Sequence, residues 1–190
     1  MRPVEESNKM LGTMKQTLFV LMAALAVFVW QGTSWVALPF HNAALHSVKN
    51  EAAVAAVLRA NLPEDAMYML PGNSGDQKAM AEKYAAGPVA VIGYKAVGGQ
   101  MMSPDMFIRG VLLDLVVAAI IAYLMGMGQL RGYLSRFLFV SLIGLALGLF
   151  TNLNNWNWMS QSLHYTVVDV IDTWIAWTLG GAVLAKYSGK

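Results

Sequence analysis

The sequence predicts an all-α membrane protein: a four-transmembrane-helix bundle with a small extracytoplasmic α+β segment between helices 1 and 2. Three observations carry that expectation. Only 13% of the 190 residues are charged and 57% are hydrophobic, whereas a soluble domain carries about 25% charged residues. Four apolar runs approach the roughly 20 residues a helix needs to cross hydrocarbon. Basic residues collect in short segments at one side of those runs, as the positive-inside rule requires of cytoplasmic loops.

Residues 1–16 read as a cytoplasmic tail with Arg2, Lys9 and Lys15. The first span is 17–38, built on LFVLMAALAVFVW, with no formal charge between Lys15 and Lys49. Gln31, Gly32, Thr33 and Ser34 are expected at its outer interface. The basic start and short core also fit a cleaved signal peptide, but the Trp-rich continuation favours a retained helix. Residues 39–105 form the extracytoplasmic cap. Within it a helix over 50–60 is capped by Asn50 and carries the stripe Ala53, Val54, Val57 and Leu58. The strand AMYML follows, then a helix over SGDQKAMAEKYAAG with Ser74 as its cap and Gly87 as its stop. The strand PVAVIGYKAV closes the segment. A two-stranded unit is marginal alone, so the cap is expected to lean on the bundle or on a partner.

The second span is 106–127, followed by a cytoplasmic loop over 128–136. The third is 137–153, followed by an extracytoplasmic loop over 154–162. The fourth is 163–185, leaving 186–190 as a cytoplasmic tail. Arg131 and Arg136 lie between spans two and three, and Lys186 and Lys190 lie after span four, while the loop between spans three and four has no basic residue. Both termini are therefore expected in the cytoplasm, with a bacterial inner membrane as the location. Trp30, Trp35, Trp156 and Trp158 fall at the outer interface, and Tyr133 and Tyr187 at the inner one, where amphipathic rings are favoured.

Several function classes are excluded or disfavoured. A net charge of +2 with scattered basic residues offers no footprint for nucleic acid. The absence of cysteine removes disulfides, thiol redox chemistry and iron–sulfur ligation by this chain. No phosphate-binding glycine loop or nucleophile motif is present, which makes an enzyme the less expected reading.

What stands out is carboxylate inside hydrocarbon. Asp114 interrupts VLLDLVVAAIIAYLM, and Asp169 and Asp172 interrupt YTVVDVIDTWIAWTLGGAVLA. Such residues are costly in lipid and usually face protein, a water-filled cavity or a partner. The helix period agrees. Asp114, Ala118, Ala122 and Gly126 share one face, and so do Asp172, Ala176 and Gly180, with Asp169 and Thr173 beside them. Span three carries Ser141, Gly144, Gly148 and Thr151, whose GxxxG run suits close helix packing. At about 1.5 Å per residue, Asp114 and Asp169 should lie at similar depth below the outer surface, with Asp172 one turn deeper. The three are candidates for a proton or ion pathway, or for hydrogen bonds to Ser141, Thr173 or a backbone carbonyl that lock the bundle.

The three histidines, His41, His46 and His164, all fall on the outer side. Imidazole is a common metal ligand, so with Asp105, Met101, Met102 and Met159 at the same level they are the candidates for a divalent metal or copper site. The spacing of His41 and His46 matches no closed zinc motif. Three functions follow: an accessory or structural subunit of a membrane assembly, a small transporter or proton-linked component using the aspartates, and a metal-binding membrane protein. The expected partners are the lipid bilayer and a second copy or another subunit of a membrane complex, and not nucleic acid.

Overall fold

A computed structural model describes residues 2–73 and 75–186; the expected Ser74 cap, the Tyr187 anchor and Lys190 lie outside the described residues. The elements in chain order are α1 (Arg2–Val36), α2 (Phe40–Ala44), α3 (Glu51–Asn61), β1 (Ala66–Leu70), α4 (Gln77–Ala86), β2 (Ala90–Tyr94), α5 (Pro104–Met127), α6 (Tyr133–Trp158) and α7 (Leu163–Leu184). Four segments are helical, long and apolar enough to cross a membrane: Gly12–Val36, Pro104–Met127, Tyr133–Trp158 and Leu163–Leu184.

Three features depart from the sequence reading. Helix α1 runs unbroken from Arg2, through residues read as a separate tail. Its one proline, Pro3, sits in the first turn, where the missing N–H costs no helical bond. Helix α6 continues to Trp158, so much of the expected 154–162 loop is helical. The asparagines there signal a turn, yet they bond back along the helix: Asn152 Nδ2 donates to the Gly148 carbonyl at 3.1 Å and Asn154 Nδ2 to that of Phe150 at 2.6 Å. Polar side chains that back-bond in this way sit inside a helix without leaving their own groups unsatisfied. The third feature is α2, a five-residue helix just after α1 that no periodicity announces.

The long helices pack in the order α5–α1–α7–α6, with α1 between α5 and α7 and only slight contact between α5 and α6. Small residues set these approaches. A Cβ at Gly144 would clash with Trp177 Cβ, one at Gly148 would lie 3.0 Å from the Val170 carbonyl oxygen, and one at Gly180 2.9 Å from Val27 Cγ2. The core joins Ala23 and Val27 of α1 to Ala118 and Ile121 of α5, Val140 of α6, and Ala176 and Trp177 of α7. Ser141 and Thr178 share a hydrogen bond of 2.8 Å across α6 and α7, and Trp174 Nε1 donates to Ser141 Oγ at 3.0 Å.

In the cap, β1 and β2 pair antiparallel from Ala66 opposite Tyr94 to Leu70 opposite Ala90. Asn50 caps α3 by accepting from the Ala53 amide at 3.0 Å. Asp76 caps α4, accepting from the amides of Lys78 and Ala79 at 2.9 and 3.2 Å. Gly87, at φ +65°, ends that helix where a side chain would be strained. Neither α3, α4 nor the sheet packs closely on the long helices, and α3 buries none of its residues. The apolar stripe of α3 thus forms as expected, but Ala53, Val54 and Val57 stay exposed and Leu58 is only partly covered.

Candidate functional site

The site lies where the C-terminal end of α1 meets the first turns of α7 and is built from three short stretches. On α7, Ser162 Oγ caps the helix by accepting from the Tyr165 amide at 3.2 Å. Asp169 and Asp172, three residues apart, then emerge one turn from each other on neighbouring positions of one face. On α1, Trp30 and Ser34 are four apart and meet the same carboxylate. Trp30 Nε1 donates to Asp172 Oδ1 at 2.7 Å. Ser34 Oγ lies 3.1 Å from Asp172 Oδ2 and also 3.1 Å from the Gln31 carbonyl; its single hydrogen serves one of them at a time.

The third stretch is α2. The chain leaves α1, turns at Pro39, and α2 folds back against α7. That turn brings His41 into the helix contact, where it is fully buried. Its ring stacks on Trp35 with centroids 4.1 Å apart, and Phe40 tilts against it at 4.7 Å. His41 Nε2 stands 3.3 Å from Asp172 Oδ2, and Nδ1 stands 3.7 Å from Asp169 Oδ1. Neither nitrogen makes a hydrogen bond in this arrangement. Asp169 keeps 23% of its side chain exposed, against 9% for Asp172, and Tyr165 stands one turn before it on α7.

The chemistry follows from the ring. Neutral imidazole donates from one nitrogen only, whereas imidazolium donates from both. Only the protonated ring therefore offers a hydrogen to each carboxylate. A proton that enters through the part-exposed Asp169 can pass to Nδ1 and leave from Nε2 toward Asp172. The two nitrogens point to different carboxylates, a geometry for handing a proton across a ring rather than for converging ligands on one ion.

Asp114 stands apart. Its Oδ1 accepts from Gln31 Nε2 at 3.3 Å, and its Oδ2 is buried without a hydrogen-bond partner. Trp30 and Gln31 are neighbours on α1, so Asp114 and Asp172 occupy similar levels, but α1 stands between α5 and α7 and the three carboxylates form no single cluster. Their partners also differ from those expected. Ser141 is engaged by Thr178 and Trp174, while the aspartates are met by α1.

Of the histidines only His41 joins the aspartates. His46 and His164 are solvent-exposed, as are Met101, Met102 and Met159. Among the described residues no three His, Cys, Asp or Glu side chains group closely enough to hold a metal ion. Sequence reasoning missed Trp30, Gln31, Ser34 and Trp35 as site residues by assigning them to the interface. Their signal was present: hydrogen-bonding side chains at i and i+4 in a stretch with no formal charge between Lys15 and Lys49.

Comparison with protein-family models, curated proteins and solved structures finds no match to this chain. Four helices apolar enough to span a bilayer support an integral, multi-pass membrane protein. Beyond that, function is read from the site.

Proposed function

We propose that this chain is a small proton-linked membrane protein whose proton-binding centre is His41 held between Asp169 and Asp172. The observation that carries this reading is the fully buried imidazole with each nitrogen facing a different α7 carboxylate and neither hydrogen-bonded. A histidine kept only for packing would have its buried nitrogens satisfied, as most buried polar groups are. Intramembrane carboxylates beside a histidine are the groups that proton relays are made from. Both termini face the cytoplasm of a bacterial inner membrane in this reading, in keeping with the basic ends, and the centre opens outward through Asp169 and Tyr165.

The test is proton movement in vesicles. Purified protein is reconstituted around a pH-sensitive dye and the outer solution is acidified. The parent is expected to dissipate the gradient. His41→Gln and Asp172→Asn, which keep shape and remove the titrating group, are expected to slow it by about tenfold or more, in line with the loss of a positioned proton carrier. A gradient that outlasts the parent protein, or one that both variants dissipate at the parent rate, contradicts the proposal.

A second reading, an accessory subunit of a membrane assembly, is favoured by the cap. Val57 and Met67 are 61% and 71% exposed on elements that do not pack closely on the long helices, and apolar side chains left uncovered suit a partner surface. Cross-linking in native membranes is expected to trap a neighbour through residues of α3 or β1. Recovery of the uncross-linked chain alone counts against this reading and leaves the proton centre untouched.

A further inference from the structure

The slight contact between α5 and α6 leaves a seam at the end of the bundle opposite the histidine. There a cavity of about 380 Å³ opens between α1, α5, the α5–α6 connection and the end of α7. Its inner wall is apolar: Phe19 and Val20 of α1, Ala122 of α5 and Leu184 of α7. Its rim carries Arg131 and Arg136, and among the described residues no carboxylate lines it. Arg136 Nε donates to the Leu130 carbonyl at 2.9 Å, which ties that guanidinium to the rim. Arg131 is exposed, so its charge meets a ligand without first leaving a buried partner.

We propose that this cavity binds an anionic phospholipid, with the phosphate between Arg131 and Arg136 and the acyl chain against the apolar wall. Three properties argue for that occupant. The cavity lies at a helix end, at headgroup depth for a spanning bundle. The charged side chains among its described lining are both arginines, and guanidinium recognises phosphate in a forked geometry. Its polar rim and apolar wall follow the two halves of a lipid, and basic pockets between transmembrane helices on the cytoplasmic side are suited to anionic headgroups. By the basic-residue rule this is also the cytoplasmic end, the side on which anionic lipid attracts basic residues most strongly. A soluble anion would satisfy the arginines and leave the wall of Phe19, Val20 and Leu184 without a role. The proposal is independent of the His41 centre.

The experiment uses the full chain, delipidated in neutral detergent. Phosphatidylglycerol, phosphatidylcholine and inorganic phosphate are added separately, and retained lipid is read by mass spectrometry of the intact complex alongside the thermal midpoint. Phosphatidylglycerol is expected to be retained at a saturable stoichiometry and to raise the midpoint, whereas phosphatidylcholine does neither. Arg131→Gln is expected to weaken retention about fivefold, the share of one basic residue at an anionic surface. Gln129→Glu, which adds a repelling charge to the rim and removes no arginine, should weaken it as well. Near-UV circular dichroism, dominated by the tryptophans, should be unchanged in both variants. Equal retention of the two lipids, or of phosphatidylglycerol by parent and variants, overturns the proposal. Displacement of the lipid by inorganic phosphate overturns the lipid as occupant and leaves an anion site.

Discussion

Gly144→Ala is expected to destabilise the α6–α7 pair by about 3 kcal/mol, the upper end of what overpacking costs. The new methyl would clash with Trp177 Cβ, and a side-chain Cβ is fixed to its backbone, so no rotamer change relieves the clash. The helices must separate. Separation also spoils the approaches of Gly148 to Val170 and of Gly181 to Val140, and it stretches the Ser141–Thr178 bond. Packing is the main force between membrane helices, so the loss is not offset by burial elsewhere. Gly32→Ala is the matched control, because a Cβ there meets nothing within 4 Å. It should be neutral or slightly stabilising, since alanine is the better helix former. Unfolding in mixed detergent micelles, followed by tryptophan fluorescence, measures both. Equal stability of Gly144→Ala and Gly32→Ala would show that α6 and α7 do not meet as described.

The second large effect is at Asp172. Replacement by alanine removes the acceptor of Trp30 Nε1 and a contact of Ser34 Oγ, and leaves His41 facing only Asp169. Hydrogen bonds between membrane helices contribute about 0.6 kcal/mol on average and at most about 1.7 kcal/mol. With the part-buried indole N–H left unpaired, the loss should be about 2–3 kcal/mol. Asp172→Asn should cost less than half of that, because its amide oxygen still accepts from Trp30. The ranking is the useful part: alanine well below asparagine, asparagine slightly below the parent. Alanine as stable as the parent would mean that Trp30 and Asp172 are not partners. Asparagine as costly as alanine would mean that charge, not hydrogen bonding, holds α1 to α7.

Much of the architecture was legible because hydrocarbon imposes simple demands. The four spans follow from length and apolarity. The stripes through Asp114, Ala118 and Ala122, and through Asp172, Ala176 and Gly180, foretold the faces that are buried, apart from the exposed Gly126 and Thr151 at the ends of their stripes. The cap's two helices and two strands were readable from Asn50, Gly87, the short AMYML run and the Val- and Ile-rich PVAVIGYKAV.

What was not legible depends on tertiary arrangement. Helix α2 is five residues long, too short to show a period, and it is α2 that delivers His41. Trp30 and Ser34 looked like interfacial residues because tryptophan favours headgroups on average; an indole N–H that finds a buried carboxylate overrides that preference. The hydrogen-bond partners expected for the aspartates were Ser141, Thr173 or a backbone carbonyl. Which helix would lie between them was beyond a one-dimensional pattern, and it is α1 that does so.

The most direct test of the central claim is the ¹⁵N spectrum of imidazole-labelled protein. With only three histidines, the His41 resonances are assigned by their loss in His41→Gln. A buried ring whose two nitrogens face different α7 carboxylates should respond to each of them: Asp172→Asn should move the Nε2 resonance most and Asp169→Asn the Nδ1 resonance most, with those of His46 and His164 in place. His41 resonances that are the same with and without either carboxylate would contradict the account.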